Sequence, residues 1–156
     1  MNLSARAKLD AALAECALHA QVLGGAAAAL PAGFTAQTAL DIDADLRRWL
    51  DQAAYRFMKL QDSLGEKVLP GLLEATLDPL PPEATFAERL QRLERLGAVP
   101  SAQRWRLLRE VRNSLAHEYP ENPALQAAAL TRLVVGVREL LLLWSSVLTF
   151  AQSRLS

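Results

Sequence analysis

Hydrophobic residues recur at three- and four-residue steps over most of the chain, which is the spacing of one face of an α-helix. The first segment with this pattern predicts a helix from about residue 3 to residue 23, which Gly24 and Gly25 end or bend. The second predicts a helix that begins near Asp41, where acidic residues suit a helix N-terminus, and stops at Gly65. No segment alternates hydrophobic and polar residues as a β-strand does. The pattern therefore predicts an all-α fold.

Proline, glycine and capping residues divide the middle of the chain. Pro70 and Gly71 interrupt an otherwise helical segment, so we expect a short or broken helix there. The DPLPPEA stretch, residues 78–84, predicts a loop. Thr85 is followed three residues later by a glutamate, a capping-box pattern that predicts the start of a helix, which Gly97 ends.

Two further helices complete the expected bundle. Ser101 is predicted to cap one of them, and Asn122 followed by a proline predicts the start of a long helix over about 123–153. That last helix is apolar on most of its faces, so it lies either at the centre of the bundle or in a dimer interface. Together the segments predict a single domain, residues 1–156, folded as a helical bundle of about five helices.

The composition is that of an ordinary globular protein, with 51% hydrophobic residues, 22% charged residues and a formal net charge of zero. A neutral chain has no bulk electrostatic attraction to nucleic acids, so RNA binding would need a local basic patch. The single cysteine, Cys16, excludes a disulfide within the chain and fits a reducing compartment. No secretory signal is evident, and the most hydrophobic stretch, 140–152, is shorter than the roughly 20 residues that span a bilayer. We therefore expect a cytoplasmic protein with no membrane association.

The octapeptide RNSLAHEY, residues 112–119, contains the strongest candidate chemistry. Asn113 and His117 are four residues apart and share a helix face. Because Pro120 disfavours helical geometry at the preceding residue, His117 is expected in the last turn, where a helix C-terminus raises the pKa of an imidazole. Arginine is frequent in this chain, however, and the bare spacing is more typical of a solvated helix end than of an active site.

With its flanks, the octapeptide resembles the defining motif of the HEPN superfamily, in which an arginine and a polar residue precede a histidine. The tyrosine two positions after the histidine is similar to that of HepT-type toxins in HEPN–MNT toxin–antitoxin pairs. The resemblance extends to YRFMKLQDSLGEK at 55–67 and to residues 93–123, and the motif precedes a long final helix as in small bacterial HEPN proteins. It implies a homodimer in which Arg112 and His117 of both chains meet in a cleft and cleave single-stranded RNA without metal.

The resemblance also implies a role for each residue of the motif. His117 would shuttle the proton while a ribose 2′-OH attacks the neighbouring phosphate. Arg112 would stabilise the negative charge of the phosphorane, and Asn113 would orient the histidine or contact the phosphate. The products would be a 2′,3′-cyclic phosphate and a 5′-OH, and we expect no metal and no other cofactor.

The resemblance also implies that the nuclease is regulated through Tyr119. In HepT-like proteins the partner nucleotidyltransferase, an MNT-type antitoxin, attaches AMP to the matching tyrosine and silences the nuclease. An AMP group beside Arg112 would occupy the phosphate site. Tyr119 is therefore expected to be a modification target and not a catalytic residue.

Three other charged residues are weaker candidates for lining an RNA cleft. Arg109 lies in the same predicted helix as the motif, and Arg56 and Asp62 lie in the second segment that resembles HEPN proteins. For the arginines of the motif helix, exposed positions with no role in binding are the more common case.

The sequence leaves two other functions open. The chain could be a non-catalytic HEPN companion, the substrate-binding subunit of a nucleotidyltransferase, although such a module need not keep both Arg112 and His117. It could also be a helical interaction protein in which the octapeptide occurs by chance.

Overall fold

The computed structural model describes residues 1–76, 80–116 and 122–155. Over these ranges the chain forms helices joined by loops and contains no β-strand, which confirms the predicted all-α class. The helices are α1 Leu3–Ala28, α2 Ala36–Leu40, α3 Ala44–Ser63, a π-helical turn Leu64–Val68, α4 Leu69–Glu74, α5 Phe86–Leu96, α6 Ala102–Ser114 and α7 Pro123–Leu155. Since α3, the π-helical turn and α4 follow one another without a break, the described chain has five long helical segments and the short α2.

Helix α1 continues through the two glycines that were expected to end or bend it. The predicted end was wrong because Gly24 and Gly25 are followed by alanines, the strongest helix formers, which offset the cost of glycine. Leu23 and Ala26 on either side are fully buried, so packing also favours the continued helix. The helix reaches Ala28, one turn beyond the glycines.

The helix that begins at Asp43 also passes its predicted end at Gly65. The chain goes on through the π-helical turn, where the amide of Leu69 donates to the carbonyl of Leu64 five residues back. This wider turn ends two residues before Pro70, which has no amide hydrogen to donate. A Cβ added to Gly65 would lie 3.0 Å from the Trp105 ring, so this glycine permits close packing and does not stop the helix.

The predicted boundaries in the second half are confirmed. Thr85, Ser101 and Asn122 each accept a hydrogen bond through the side chain from the amide three residues later, at 3.1, 3.2 and 3.1 Å. Gly97 ends α5 with a φ of 85°, a left-handed conformation that favours glycine. Residues 80–84, the described part of the predicted loop, are not helical.

Helix α7 lies at the centre of the bundle, in contact with α1, α2, α3 and α6. Val137, Leu140 and Val147 are fully buried along its inner face. Leu142 is 72% exposed and Val135 is 44% exposed on the opposite face. Of the two expected positions for this helix, the central one is observed, and a dimer contact through the exposed face stays a prediction.

By length and composition, α7 is also apolar enough to cross a membrane. An 18-residue window of it has a mean hydropathy of 1.7, so its apolar region is longer than residues 140–152. Half of that window is buried inside the chain. The cytoplasmic location stays a prediction.

Candidate functional site

The C-terminal halves of α3 and α6 bring three charged side chains together. Asp62 accepts hydrogen bonds from Arg112, through Oδ1 from Nε at 3.2 Å and through Oδ2 from Nη2 at 3.0 Å. Its Oδ1 also accepts a hydrogen bond from Nη1 of Arg109 at 2.9 Å. We call Asp62, Arg109 and Arg112 the Asp–Arg cluster. The structure thus brings the arginine of the motif together with two of the three weaker cleft candidates.

Close packing of α3, α6 and α7 holds the cluster in place. Arg109 and Arg112 are three residues apart and therefore share the face of α6 that meets α3. Beneath this face, a Cβ added to Gly136 of α7 would lie 3.5 Å from the side chains of Phe57 and Val111. The three helices approach one another so closely that the cluster lies over a filled core.

Asp62 and Arg112 shift each other's pKa values. The hydrogen bond from Arg112 is the largest cause of the lowered pKa of Asp62, with burial opposing it and the bond from Arg109 adding to it. The same hydrogen bond raises the pKa of Arg112, to which the charge of Glu66 also contributes. Asp62 and Arg112 are therefore both ionised at neutral pH. Their side chains are 29% and 30% exposed, so water still reaches the pair.

One edge of the Arg112 guanidinium is left for another partner. Asp62 occupies Nε and one hydrogen of Nη2, and Nη1 has no hydrogen-bond partner within the described part of the chain. A guanidinium has five N–H donors, and its outer edge matches two oxygens of a phosphate. The geometry therefore allows Arg112 to bind a phosphate while Asp62 holds it.

Helix α6 ends inside the octapeptide. Its last residue is Ser114, and the amide of Leu115 donates to the carbonyl of Arg112 at 3.3 Å, which tightens the final turn. Asn113 is exposed next to the arginine. His117 and Tyr119 lie outside the described residues.

Arg56 lies on a different face of α3 from Asp62. Six residues separate them, which places their side chains about 120° apart around the helix. Nη1 of Arg56 lies 2.9 Å from Nδ1 of His19 on α1, and His19 is 7% exposed. The structure thus places this third cleft candidate between α1 and α3, apart from the Asp–Arg cluster.

The polar group around His19 joins α1 to α3 and to the π-helical turn. Because an arginine donates to Nδ1, the proton of the neutral ring lies on Nε2, 3.6 Å from Oε1 of Glu15. Glu15 also accepts hydrogen bonds from Ser63 at 3.0 Å and from Lys67 at 3.1 Å. Burial is the largest cause of the lowered pKa of His19, although the nearby Glu15 carboxylate opposes it. His19 is therefore a neutral residue that holds two helices together.

A pocket of about 370 Å³ opens beside the Asp–Arg cluster. Its walls come from α3, the π-helical turn, α5 and α6, and they comprise Asp62, Gly65, Glu66, Phe86, Ala87, Leu90, Trp105, Arg106 and Arg109. The rings of Phe86 and Trp105 have centroids 6.4 Å apart and planes inclined at 47°. Sequence reasoning missed this pocket because its walls come from separate segments. The available signal was a pair of carboxylates, Asp62 and Glu66, one helical turn apart.

The other charged and reactive side chains considered have structural roles. Arg104 forms an ion pair with Glu139 of α7. Burial raises the pKa of the Cys16 thiol to about 12, so it is not a nucleophile at neutral pH. In the ranges that the structure describes, no three His, Cys, Asp or Glu side chains form a group that could hold a metal ion.

No protein-family model, curated protein or solved structure matches this chain.

Proposed function

We propose that this protein is the toxin of a HEPN–MNT type pair, an endoribonuclease that cleaves single-stranded RNA without metal. The observation that carries the proposal is the state of Arg112. It lies in the last turn of α6, 30% exposed, held along one edge by Asp62 with its outer edge unoccupied by described residues. A fixed, ionised guanidinium at the start of RNSLAHEY is suited to stabilise negative charge at a phosphate.

The proposed reaction is an in-line displacement at phosphorus. His117 accepts the proton of the 2′-OH as the 2′ oxygen bonds to phosphorus, and the protonated imidazole gives that proton to the 5′ oxygen as its bond to phosphorus breaks. Arg112 binds the non-bridging oxygens, whose negative charge grows in the phosphorane, so it stabilises the transition state more than the ground state. The products are a 2′,3′-cyclic phosphate and a 5′-OH. Asn113, exposed beside Arg112, contacts the phosphate or orients the histidine.

The Asp–Arg cluster supplies a local basic patch in a neutral chain. It contains two guanidiniums and one carboxylate, so its net charge is positive. Asp62 acts as a positioning residue, because it fixes the guanidinium of Arg112. Arg109 adds positive charge where the RNA backbone approaches.

Control of the nuclease follows from the same site. We propose that the protein is a homodimer and that a cognate MNT-type nucleotidyltransferase attaches AMP to Tyr119. An AMP phosphate within reach of Arg112 would bind the guanidinium edge that Asp62 does not hold and compete with the RNA phosphate. No cofactor is needed for the cleavage step.

Cleavage of single-stranded RNA in EDTA tests the nuclease proposal. Wild type should leave 2′,3′-cyclic phosphate ends, and Arg112→Ala and His117→Ala should each lower the rate by about 10²-fold or more. Arg47→Ala is the matched control, because Arg47 is exposed on α3 about 22 Å along the helix from Asp62. Mass spectrometry first establishes that wild type carries no AMP on Tyr119. The proposal is wrong if this unmodified dimer leaves RNA intact, or if both motif variants cleave as fast as wild type.

The pocket beside the cluster favours a second candidate function, that of a non-catalytic companion of a nucleotidyltransferase. Its volume of about 370 Å³ falls within the roughly 300–1,000 Å³ of small-molecule sites. In this case the chain binds the substrate of the nucleotidyltransferase and leaves RNA intact. Nucleotidyl transfer to a small substrate that requires this protein, and that Arg112→Ala and His117→Ala leave unchanged, would support it.

A further inference from the structure

We infer that the pocket of Phe86 and Trp105 binds a guanine base of the RNA, with Glu66 contacting its Watson–Crick edge and Arg106 the adjoining phosphate. This inference rests on the proposed function in one respect, since it assumes that the ligand is RNA. It adds a base preference, which neither the octapeptide nor the Asp–Arg cluster implies.

The walls of the pocket suit a flat aromatic ligand. Leu90 and Trp105 are buried, at 1% and 3% exposure, and form its apolar base. Phe86, 43% exposed, stands at the rim with its ring inclined to that of Trp105. Exposed aromatic rings beside a basic surface are the usual platform on which a base of single-stranded RNA stacks.

The polar groups of the pocket select the kind of base. Asp62 and Arg109 form an ion pair with each other. Glu66 and Arg106 are exposed, and among the described residues neither makes a hydrogen bond or ion pair. A ligand that satisfies both must present N–H donors to the carboxylate and negative charge to the guanidinium. A nucleotide of RNA does this through its base and its phosphate.

Among the four RNA bases, guanine matches a carboxylate best. Its N1–H and N2–H₂ groups are adjacent donors, which can bond to both oxygens of Glu66. Adenine, cytosine and uracil each place at least one acceptor next to their donor on this edge, and an acceptor repels a carboxylate oxygen. The carboxylate therefore favours guanine over bases that cannot form both hydrogen bonds.

The pocket also adjoins the proposed phosphate site on Arg112. Asp62 and Arg109 line the pocket and belong to the Asp–Arg cluster as well. The carboxylate that holds Arg112 is therefore part of the pocket wall. A base in the pocket and a phosphate on Arg112 would belong to the same stretch of RNA.

Binding of uncleavable oligonucleotides tests the inference without relying on catalysis. Hexamers with 2′-O-methyl groups on every ribose have no 2′-OH to attack phosphorus, and the full-length protein is titrated with uridine hexamers that carry one G, A, C or U at the third position. We expect the G hexamer to bind about tenfold more tightly than the others. Glu66→Gln should remove this preference, because its amide presents a donor to the guanine donors. The matched control, Glu83→Gln, alters an exposed carboxylate in the loop before α5 and should keep the preference.

The result separates the base pocket from the nuclease. Equal affinity for the four hexamers, no binding of any of them, or a guanine preference that persists in Glu66→Gln would overturn the inference. A guanine preference in a protein that leaves RNA uncleaved would support the pocket and contradict the nuclease. Cleavage at every base with equal affinity would support the nuclease and contradict the pocket.

Discussion

Replacing Asp62 with asparagine removes the charge that holds Arg112 while keeping the size of the side chain. The change weakens three hydrogen bonds of 2.9–3.2 Å, two with Arg112 and one with Arg109. The cluster would keep both guanidiniums, so its positive charge would rise. Binding of RNA should then stay near wild type or tighten, while the guanidinium of Arg112 loses its fixed orientation.

The expected effect on stability is small, and the effect on catalysis is large. A hydrogen bond to a charged group contributes about 1.5–3 kcal/mol when it is well shielded. Here the side chains of Asp62 and Arg112 are 29% and 30% exposed, so solvent screens the pair, and we expect a loss of about 1 kcal/mol in the free energy of unfolding. A misplaced transition-state contact lowers kcat by about 10²-fold.

Two measurements on the same preparation check this prediction. Urea unfolding gives the change in stability, and RNA cleavage at varied substrate concentration separates kcat from KM. Asp51→Asn is the matched control, because Asp51 is an exposed carboxylate on the same helix. Because the pKa of Asp62 is lowered from 3.8 in the folded state, its contribution to stability is complete above that pH and is lost as the pH falls through the lowered pKa. Asp62→Asn should therefore show a shallower loss of stability in acid than wild type does.

An Asp62→Asn protein that remains folded and keeps the wild-type kcat would contradict this prediction. In that case Arg112 would not depend on Asp62 for its catalytic orientation. A rise in KM with an unchanged kcat would also count against it, because it would mean that Asp62 serves binding and not the chemical step.

Three further predictions concern the scaffold. Phe57→Ala, at a fully buried position, should lower the free energy of unfolding by about 3–5 kcal/mol in urea, and a loss below 1 kcal/mol would contradict the packing described. Gly65→Ala would place its Cβ 3.0 Å from the Trp105 ring. It should lower the free energy of unfolding by about 1–3 kcal/mol and alter the near-ultraviolet circular dichroism. If neither the stability nor the spectrum changed, the close contact between these helices would be contradicted. The pKa of His19 is lowered from 6.5, so the unfolded chain binds more protons and wild type should lose stability as the pH falls below 6.5. His19→Asn should show less of this loss, and identical pH profiles would contradict the assignment of a neutral buried ring.

Local sequence determined the class of fold and most helix boundaries of this protein. Thr85, Ser101 and Asn122 cap helices as predicted, and Gly97 ends one. A cap needs only its own side chain and an amide three residues along the chain, so neighbouring residues are sufficient to specify it. The dimer, the partner nucleotidyltransferase and the role of the octapeptide stay predictions.

The two helix ends that were predicted at glycines are absent because tertiary packing outweighs local helix propensity. Gly24, Gly25 and Gly65 are weak helix formers, but their cost of about 1 kcal/mol each is smaller than what burial of the neighbouring apolar residues contributes. The close approach of Trp105 to Gly65 depends on a residue forty positions away. Single-residue propensity carries no information about such a contact.

Tertiary structure alone decided which charged residues meet. Arg56 and Asp62 lie six residues apart on α3, yet they face different neighbours, His19 of α1 and the arginines of α6. The pocket likewise combines residues of three separate segments. Helical periodicity states which residues share a face, but the packing of distant helices determines what covers that face.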